Sequence, residues 1–254
     1  MENLVIISGV TASGKTAISI HLAQQFNAEI ISADSRQVYR GLDIGTAKIT
    51  PAEMHGVPHH LIDIVDPTQN QHYSVGDFQR AAYQTIAAIH ARGKLPMLVG
   101  GTGLYSRAVA NGYRFGDLPN APRYRVLQIC LMPDNAWLKP RVEQRNRERV
   151  AQGMFAETER LLAAGVQREF LYSLGLEYRL NVRYLDGEID QDEYYRALTT
   201  QTMQFIKRQR TWYRKENPAI THYLTNPATY LADATALIRA FLAQPADQAP
   251  QPAN

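Results

Sequence analysis

The chain has 254 residues, of which 45% are hydrophobic and 20% charged, and this balance excludes a globally disordered polypeptide. The single cysteine, Cys130, excludes an intrachain disulfide and a zinc site built from cysteines. No apolar run approaches the ~20 residues of a membrane-spanning helix, and the first residues lack the basic start of a secretory signal. We therefore expect a cytoplasmic monomer without membrane contact.

The formal net charge of +3 conceals two basic segments. Residues Lys139–Arg149 carry five basic side chains against two acidic ones, and Lys207–Lys215 carry five basic side chains and no acidic one. Positive charge concentrated in this way favours an anionic ligand. Two solvated helix faces would produce the same pattern, so the spacing alone leaves both interpretations open.

Short apolar runs alternate with helical patterns in the first half of the chain. The runs predict four buried strands: Leu4–Ser8, Ala28–Ser32, Pro96–Gly101 and Val126–Leu131. Apolar residues at helical spacing predict helices after Thr16 and over residues 76–92, the second closed by Gly93. Strands that alternate with helices predict an α/β fold with a parallel sheet.

The second half of the chain is predicted to be mainly helical. Helical patterns cover residues 135–164, 176–186 and 192–216, and Asn226-Pro227 is typical of the start of a last helix. These patterns predict four parts: an α/β core (1–132), a small helical lobe (133–216), a strand and helix that pack on the core (217–243) and a disordered tail (244–254).

A phosphate-binding motif joins the first predicted strand to the first helix. Residues 9–16 read GVTASGKT and match GxxxxGK[ST] in the strand–loop–helix context that this motif requires. Backbone amides of such a loop surround phosphate oxygens, the lysine adds a cation, and the last hydroxyl can bind Mg²⁺. The candidate phosphate contacts are Gly9, Thr11, Ala12, Ser13, Gly14, Lys15 and Thr16, with Thr16 as the metal ligand.

The strand predicted at Pro96–Gly101 lacks the acidic residue that P-loop kinases and ATPases use to hold their metal. It is followed by Thr102-Gly103, and its two glycines allow a close approach to the backbone. The bound phosphate is therefore expected to belong to a substrate that is not hydrolysed. A small-metabolite kinase remains an alternative, with the arginine-rich segment as its lid.

Asp34 follows the second predicted strand, so it should lie near the phosphate loop at the carboxyl edge of the sheet. Its carboxylate could bind a metal through water or accept a proton, and a helix cap is the alternative interpretation. His59 and His60 resemble a metal site, but adjacent strand residues point to opposite faces. Structural hydrogen bonds are the favoured role for these two histidines.

Four segments in order resemble one family: GVTASGKT, ADSRQVYRGLDIGTAK (33–48), GVPHHLIDIVDP (56–67) and LVGGTGLY (98–105). They are similar to the signatures of the adenosine N6-dimethylallyltransferases, and RVEQRNRERV (141–150) and KRQRTWYRK (207–215) also fit. The resemblance covers about Leu4 to Lys215. It implies a P-loop NTPase-like fold and transfer of a dimethylallyl group from its diphosphate to N6 of adenine, with Mg²⁺ as cofactor.

The resemblance also implies roles for individual residues. Lys15, Thr16, Thr102 and Arg145 are expected to hold the donor diphosphate, with Arg208 contributing to the same anion. Asp34 is expected to face the adenine amine and to be catalytic together with Arg145 and Thr102. The expected acceptor contacts are Asp34, Ser35, Gln37 and Thr46.

The resemblance leaves two classes of acceptor open, because the family contains tRNA enzymes and free-nucleotide enzymes. Leu118-Pro119 is followed almost at once by Tyr124, which leaves no room for the inserted helical domain by which the tRNA enzymes grip the anticodon stem-loop. Gly175-Leu176-Glu177-Tyr178 also replaces the GYRE of the tRNA enzymes, although the other motifs are of the tRNA type. We therefore expect free AMP, ADP or ATP as acceptor, as in cytokinin synthesis. The alternatives are tRNA, modified next to the anticodon, and a non-catalytic RNA-binding remnant.

Overall fold

A computed structural model describes residues 1–114, 120–216 and 219–244. Within these residues a single sheet of six parallel strands has the order β3-β2-β4-β1-β5-β6. The strands are β1 (Glu2–Gly9), β2 (Ala28–Ser32), β3 (His59–His60), β4 (Leu95–Val99), β5 (Tyr124–Leu131) and β6 (Thr221–Leu224). The predicted α/β class is confirmed, and the short edge strand β3 adds to the four strands expected in the first half.

Helices cover both faces of the sheet and dominate the second half of the chain. They are α1 (Lys15–Gln25), α2 (Val75–Ala91), α3 (Gly103–Ala110), α4 (Asn135–Ala151), α5 (Met154–Ala163), α6 (Arg168–Leu174), α7 (Leu176–Leu185), α8 (Gln191–Tyr213) and α9 (Tyr230–Ala243). None of these described helices is both long and apolar enough to cross a membrane.

The core has two layers because β1 is buried on both sides. On one face, Val5 and Ile7 pack with residues of α1 and α9, including Ile238. On the other face, Leu4 and Ile6 pack with residues of α2 and α3. Such burial on both faces requires the continuous apolar run seen in β1 and fixes that strand at the centre of the sheet.

Three local predictions differ from the structure. The single helix expected over 135–164 is divided into α4 and α5, because Gly153 takes a left-handed φ of 99° between them. Helix α6 was not expected. The last helix begins at Tyr230 rather than at Pro227, since the Asn226 side chain accepts a hydrogen bond from the Ala228 amide and holds a turn before the helix.

The two ends of the connection between α3 and β5 lie next to each other. The Ala121 amide donates to the Gly112 carbonyl at 3.0 Å, and Gly112 has a left-handed φ of 60°. A Cβ on Gly112 would lie 2.0 Å from the Ala121 carbonyl oxygen, so only glycine fits there. Leu118-Pro119, where the sequence lacks the inserted helical domain, lie outside the described residues. The predicted tail beyond Gln244 also lies outside them.

The strand order determines where the functional side chains meet. Strands β2, β4 and β1 are neighbours and run in the same direction. Their carboxyl ends therefore deliver the loops beginning at Ala33, Gly100 and Val10 to one edge of the sheet. Helices α4, α7 and α8 face this edge and close the space above it.

Candidate active site

A cavity of about 460 Å³ lies at the carboxyl edge of the sheet. This volume falls in the ~300–1,000 Å³ range of small-molecule sites. The predicted site residues that line the cavity are Thr11, Lys15, Thr16, Asp34, Ser35, Gln37, Thr46, Thr102, Arg145 and Arg208. The others, Gly9, Ala12, Ser13 and Gly14, belong to the loop that forms its floor. Residues from distant parts of the sequence therefore meet at one site.

The phosphate loop holds its lysine against its own backbone. Lys15 begins α1, and its Nζ donates to the carbonyl oxygens of Gly9 and Val10 at 3.0 and 2.8 Å. Burial lowers the pKa of Lys15 to about 8, with a smaller lowering by Arg145, while Asp34 opposes the shift. An anion in the loop would stabilise the charged ammonium and so reverse this shift.

Arg145 reaches the same loop from α4. Its Nη2 donates to the Thr11 hydroxyl at 3.0 Å, and its buried Nε has no hydrogen-bond partner among the described residues. Burial and the neighbouring Arg149 lower the pKa of Arg145 to about 10, so the guanidinium stays charged at neutral pH. A half-buried cation whose Nε has no partner among the described residues, close to Lys15, is suited to bind an anionic group.

Asp34 has one carboxylate oxygen engaged and one open. Its Oδ1 accepts hydrogen bonds from the backbone amides of Arg36 and Gln37 at 2.9 and 3.4 Å. Residues 35–38 form a turn and not a helix, so the carboxylate closes a turn at the cavity wall and does not cap a helix as the alternative interpretation required. The Oδ2 atom accepts no hydrogen bond from the described residues, which leaves it available to a substrate proton.

The predicted Thr102, Ser35, Gln37 and Thr46 connect the loops around Asp34. Thr102 precedes α3, and its Oγ1 accepts from the Ser35 amide at 3.0 Å. The Gln37 Nε2 donates to the Thr46 carbonyl at 3.4 Å. The Thr46 hydroxyl instead donates to the Leu42 carbonyl at 2.6 Å, within its own turn. The loops are therefore ordered by their own polar contacts.

Gln209 was missed by the sequence analysis. Its Oε1 accepts from the Thr11 amide at 2.9 Å, and its Nε2 donates to the Gly101 carbonyl at 3.0 Å. The side chain thus ties α8 to the phosphate loop and to the end of β4. The available signal was a polar residue on the buried side of α8, in helical spacing with Ile206 and Tyr213.

Two buried glutamates, also missed, hold the opposite wall. Glu177 pairs with Arg36 at 3.2 Å and with Arg149 at 3.0 Å. Burial opposes the charge on Glu177, but these guanidiniums keep its pKa below its usual value. Glu157 accepts from the three consecutive amides of residues 43–45 at 3.0, 2.6 and 3.0 Å. Helices α5 and α7 therefore position the loops that carry Arg36 and Thr46.

Of the remaining residues, Arg208 and His59 line the cavity and His60 does not. The guanidinium carbon of Arg208 is 5.8 Å from the ring centroid of Phe205, at the exposed side of α8. His60 contacts the Glu29 carboxylate at 2.7 Å, whereas His59 contacts the Val57 carbonyl at 2.8 Å and lines the cavity. The two histidines thus engage different partners.

The residues present suit Mg²⁺ only together with a bound phosphate. Within the described chain, no group of three or more histidine, cysteine, aspartate or glutamate side chains could hold a metal ion. Mg²⁺ usually takes one or two protein oxygens and completes its shell with substrate phosphates and water. The Thr16 hydroxyl lines the cavity and could supply one such protein oxygen.

A parallel α/β sheet with a phosphate loop, half-buried cations and a carboxylate at one edge is typical of P-loop enzymes that act on phosphorylated substrates. The IPP transferase family model matches residues 37–122 and 115–216. The chain belongs to the IPP transferase family and is a prenyltransferase.

Similar proteins cover nearly the whole chain. A tRNA dimethylallyltransferase 1 of Geotalea uraniireducens is 36% identical over 93% of this chain and 97% of its own length. A tRNA dimethylallyltransferase 2 of Shewanella sediminis is 38% identical over 84% and 89%. The crystal structure of a tRNA isopentenylpyrophosphate transferase from Bacillus halodurans superposes with a TM-score of 0.86, at 33% identity, over 95% of this chain and 97% of that chain.

These findings overturn the expected acceptor. The prediction of a free adenine nucleotide and of cytokinin synthesis is wrong, since high-coverage relatives are tRNA dimethylallyltransferases. The alignment with the Geotalea protein spans 295 positions, more than the 254 residues of this chain, and the two family matches overlap at residues 115–122. The residues that line the cavity lie outside this overlap, so the short connection does not alter the cavity lining.

Proposed function

We propose that the protein transfers the dimethylallyl group of dimethylallyl diphosphate to N6 of an adenosine next to the anticodon of tRNA. The observation that carries the proposal is the single cavity in which an anion site, formed by Lys15 and Arg145, shares its walls with the open oxygen of Asp34. The similarity to tRNA dimethylallyltransferases supports tRNA as the acceptor.

The donor diphosphate is assigned to the phosphate loop. The loop amides, the Lys15 ammonium and the Arg145 Nε–H, which has no partner among the described residues, supply donors to an anion whose charge grows as it leaves. The Thr11 hydroxyl is held by Arg145, and its amide by Gln209, so these donors are arranged before the substrate binds. Stabilisation that increases towards the transition state raises the catalytic rate.

The adenine amine is assigned to the Asp34 side of the cavity. Its lone pair is delocalised into the ring, so N6 is a weak nucleophile until it loses a proton. In the proposed step the N6–C1 bond forms, the C1–O bond to diphosphate breaks, and Asp34 takes the N6 proton. The loop carrying Ser35 and Gln37, with Thr46 opposite, forms the wall beside the base.

Mg²⁺ is the proposed cofactor, held by Thr16. When bound with the diphosphate it would neutralise charge on the leaving group. Lys15 and Arg145 orient the same group from two walls of the cavity.

The decisive test offers tRNA and free nucleotides in parallel. The purified protein is incubated with labelled dimethylallyl diphosphate and Mg²⁺, and with unmodified tRNA, AMP, ADP or ATP, followed by mass spectrometry of the nucleosides. We expect transfer to tRNA, and none when the target adenosine is replaced by guanosine. Binding of tRNA should weaken with salt at a log–log slope of several units. Transfer confined to free nucleotides would contradict the proposal.

A further inference from the structure

An aromatic side chain and two guanidiniums meet in the lining of the cavity, where Arg208 is exposed to solvent. Phe205 lines the cavity from α8 and is partly exposed. The guanidinium carbons of Arg36 and Arg208 lie 6.0 and 5.8 Å from its ring centroid. These cations come from different elements, so the cluster forms only in the folded protein.

Contacts with neighbouring residues fix the positions of Phe205, Arg36 and Arg208. Phe205, Arg208, Gln209 and Trp212 are spaced at i, i+3, i+4 and i+7 and so share one side of α8. Gln209 anchors that side to the phosphate loop. Arg36 is fixed by its ion pair with Glu177. The ring and the cations are therefore presented to the cavity before any ligand binds.

The size of the cavity limits how much of an RNA can enter it. Its volume of about 460 Å³ suits a small diphosphate and one base, but not a folded RNA. An adenosine within a tRNA must therefore be extruded into the cavity, as in other enzymes that react with a base. The nucleotides on either side then remain outside the cavity. This step rests on the proposed function.

We propose that Phe205 is a stacking platform for the RNA base adjacent to the modified adenosine. Proteins bind single-stranded nucleic acid by stacking bases on aromatic rings within a positively charged groove. Phe205 supplies the ring, and the guanidiniums of Arg36 and Arg208 supply positive charge for the neighbouring phosphates. The contact tolerates different bases, because every base has a stacking face.

The test uses a stem-loop RNA that carries the target adenosine in its loop, with 2-aminopurine on one or the other side of it. Wild-type protein should quench the fluorescence of one of these bases. Phe205→Leu should abolish the quenching and weaken binding about 5- to 150-fold, whereas Phe205→Tyr should keep both. The Michaelis constant for dimethylallyl diphosphate at saturating RNA should stay unchanged in both variants.

A matched control comes from Tyr172, an exposed ring that Arg179 covers at 5.2 Å and that does not line the cavity. Tyr172→Leu should leave RNA affinity and quenching unchanged. If wild type prenylates the RNA while Phe205→Leu binds and quenches like wild type, the platform is wrong and the proposed function stands. If wild type transfers nothing to RNA, the proposed function fails, and the platform with it.

Discussion

Two carboxylates that are close in the sequence, Glu29 in β2 and Asp34 just after that strand, differ in how many of their oxygens are paired. Glu29 is buried and fully paired, with Arg92, Lys94 and His60 at 2.6, 3.1 and 2.7 Å. Asp34 has one oxygen held by backbone amides and the other open to the cavity.

This difference in pairing predicts that Glu29 contributes to stability and Asp34 to reactivity. A carboxylate whose oxygens all have cationic partners is held in its charged form, and these partners lower the pKa of Glu29 to about 2. A carboxylate with a free oxygen still has capacity to accept a substrate proton. Changes at the two residues should therefore be detected by different measurements.

The largest expected effect is on catalysis by Asp34→Asn. The amide oxygen can still accept from the Arg36 amide, so the loop should keep its shape, but the side chain cannot take a proton. We expect the single-turnover rate to fall by roughly 10²–10⁴, with nearly unchanged dissociation constants for donor and RNA. A variant that retained most of its rate would reduce Asp34 to a residue that closes a turn.

Arg145→Ala should come next. Removing a half-buried cation that we assign to the diphosphate site should lower kcat by about 10²–10³ and also raise the Michaelis constant for the donor. Arg141→Ala is the control, since Arg141 lies on the same helix but is exposed and packs over Trp137 at 4.3 Å. Similar kinetics for the two variants would mean that Arg145 does not contact the donor.

A smaller effect should appear in the pH dependence of donor use. Lys15 has a lowered pKa of about 8, so the free enzyme loses this positive charge as the pH rises through 8. The value of kcat/KM for the donor should then decline by up to about tenfold per pH unit. Lys15→Arg, which stays charged, should lack this decline whatever its absolute rate. A profile that is flat to pH 10 would contradict the role of Lys15.

Glu29→Gln should have the smallest effect on catalysis and a clear effect on stability. We expect kcat to be unchanged and the free energy of unfolding to fall by about 1–3 kcal/mol, or several degrees in Tm. Since the folded-state pKa lies below the ordinary 4.5, this stabilisation is present above pH 4.5 and lost as pH falls towards 2. Wild type and variant should therefore converge in acid. A loss of kcat without a change in Tm would contradict the assignment of Glu29 to stability and not to catalysis.

The sequence predicted elements whose signals are local. The apolar run of β1, the loop at residues 9–16 and Asp34 after β2 follow from short patterns, and the parallel order of strands brings the loops together. The roles given to Lys15, Arg145 and Asp34 remain predictions that the variants above test.

Contacts between distant segments were not predictable in this way. Gln209 is 198 residues from Thr11, and Glu157 is 114 residues from Asp43. Each is a polar residue on a helix, and only the packing of the helices against the loops assigns its partner. The prediction of a free-nucleotide acceptor was wrong for a related reason: it rested on the length of one connection and not on the motifs that build the cavity.

The closed contact between Gly112 and Ala121 makes this connection a modular junction. Its two ends touch, so its length can change while the positions of α3 and β5 stay fixed. Lengthening a flexible connection costs little free energy, about 0.6 kcal/mol for each doubling. Segments of different length can therefore be accommodated at this point while the sheet edge keeps its geometry, and a protein engineer could insert a heterologous domain there.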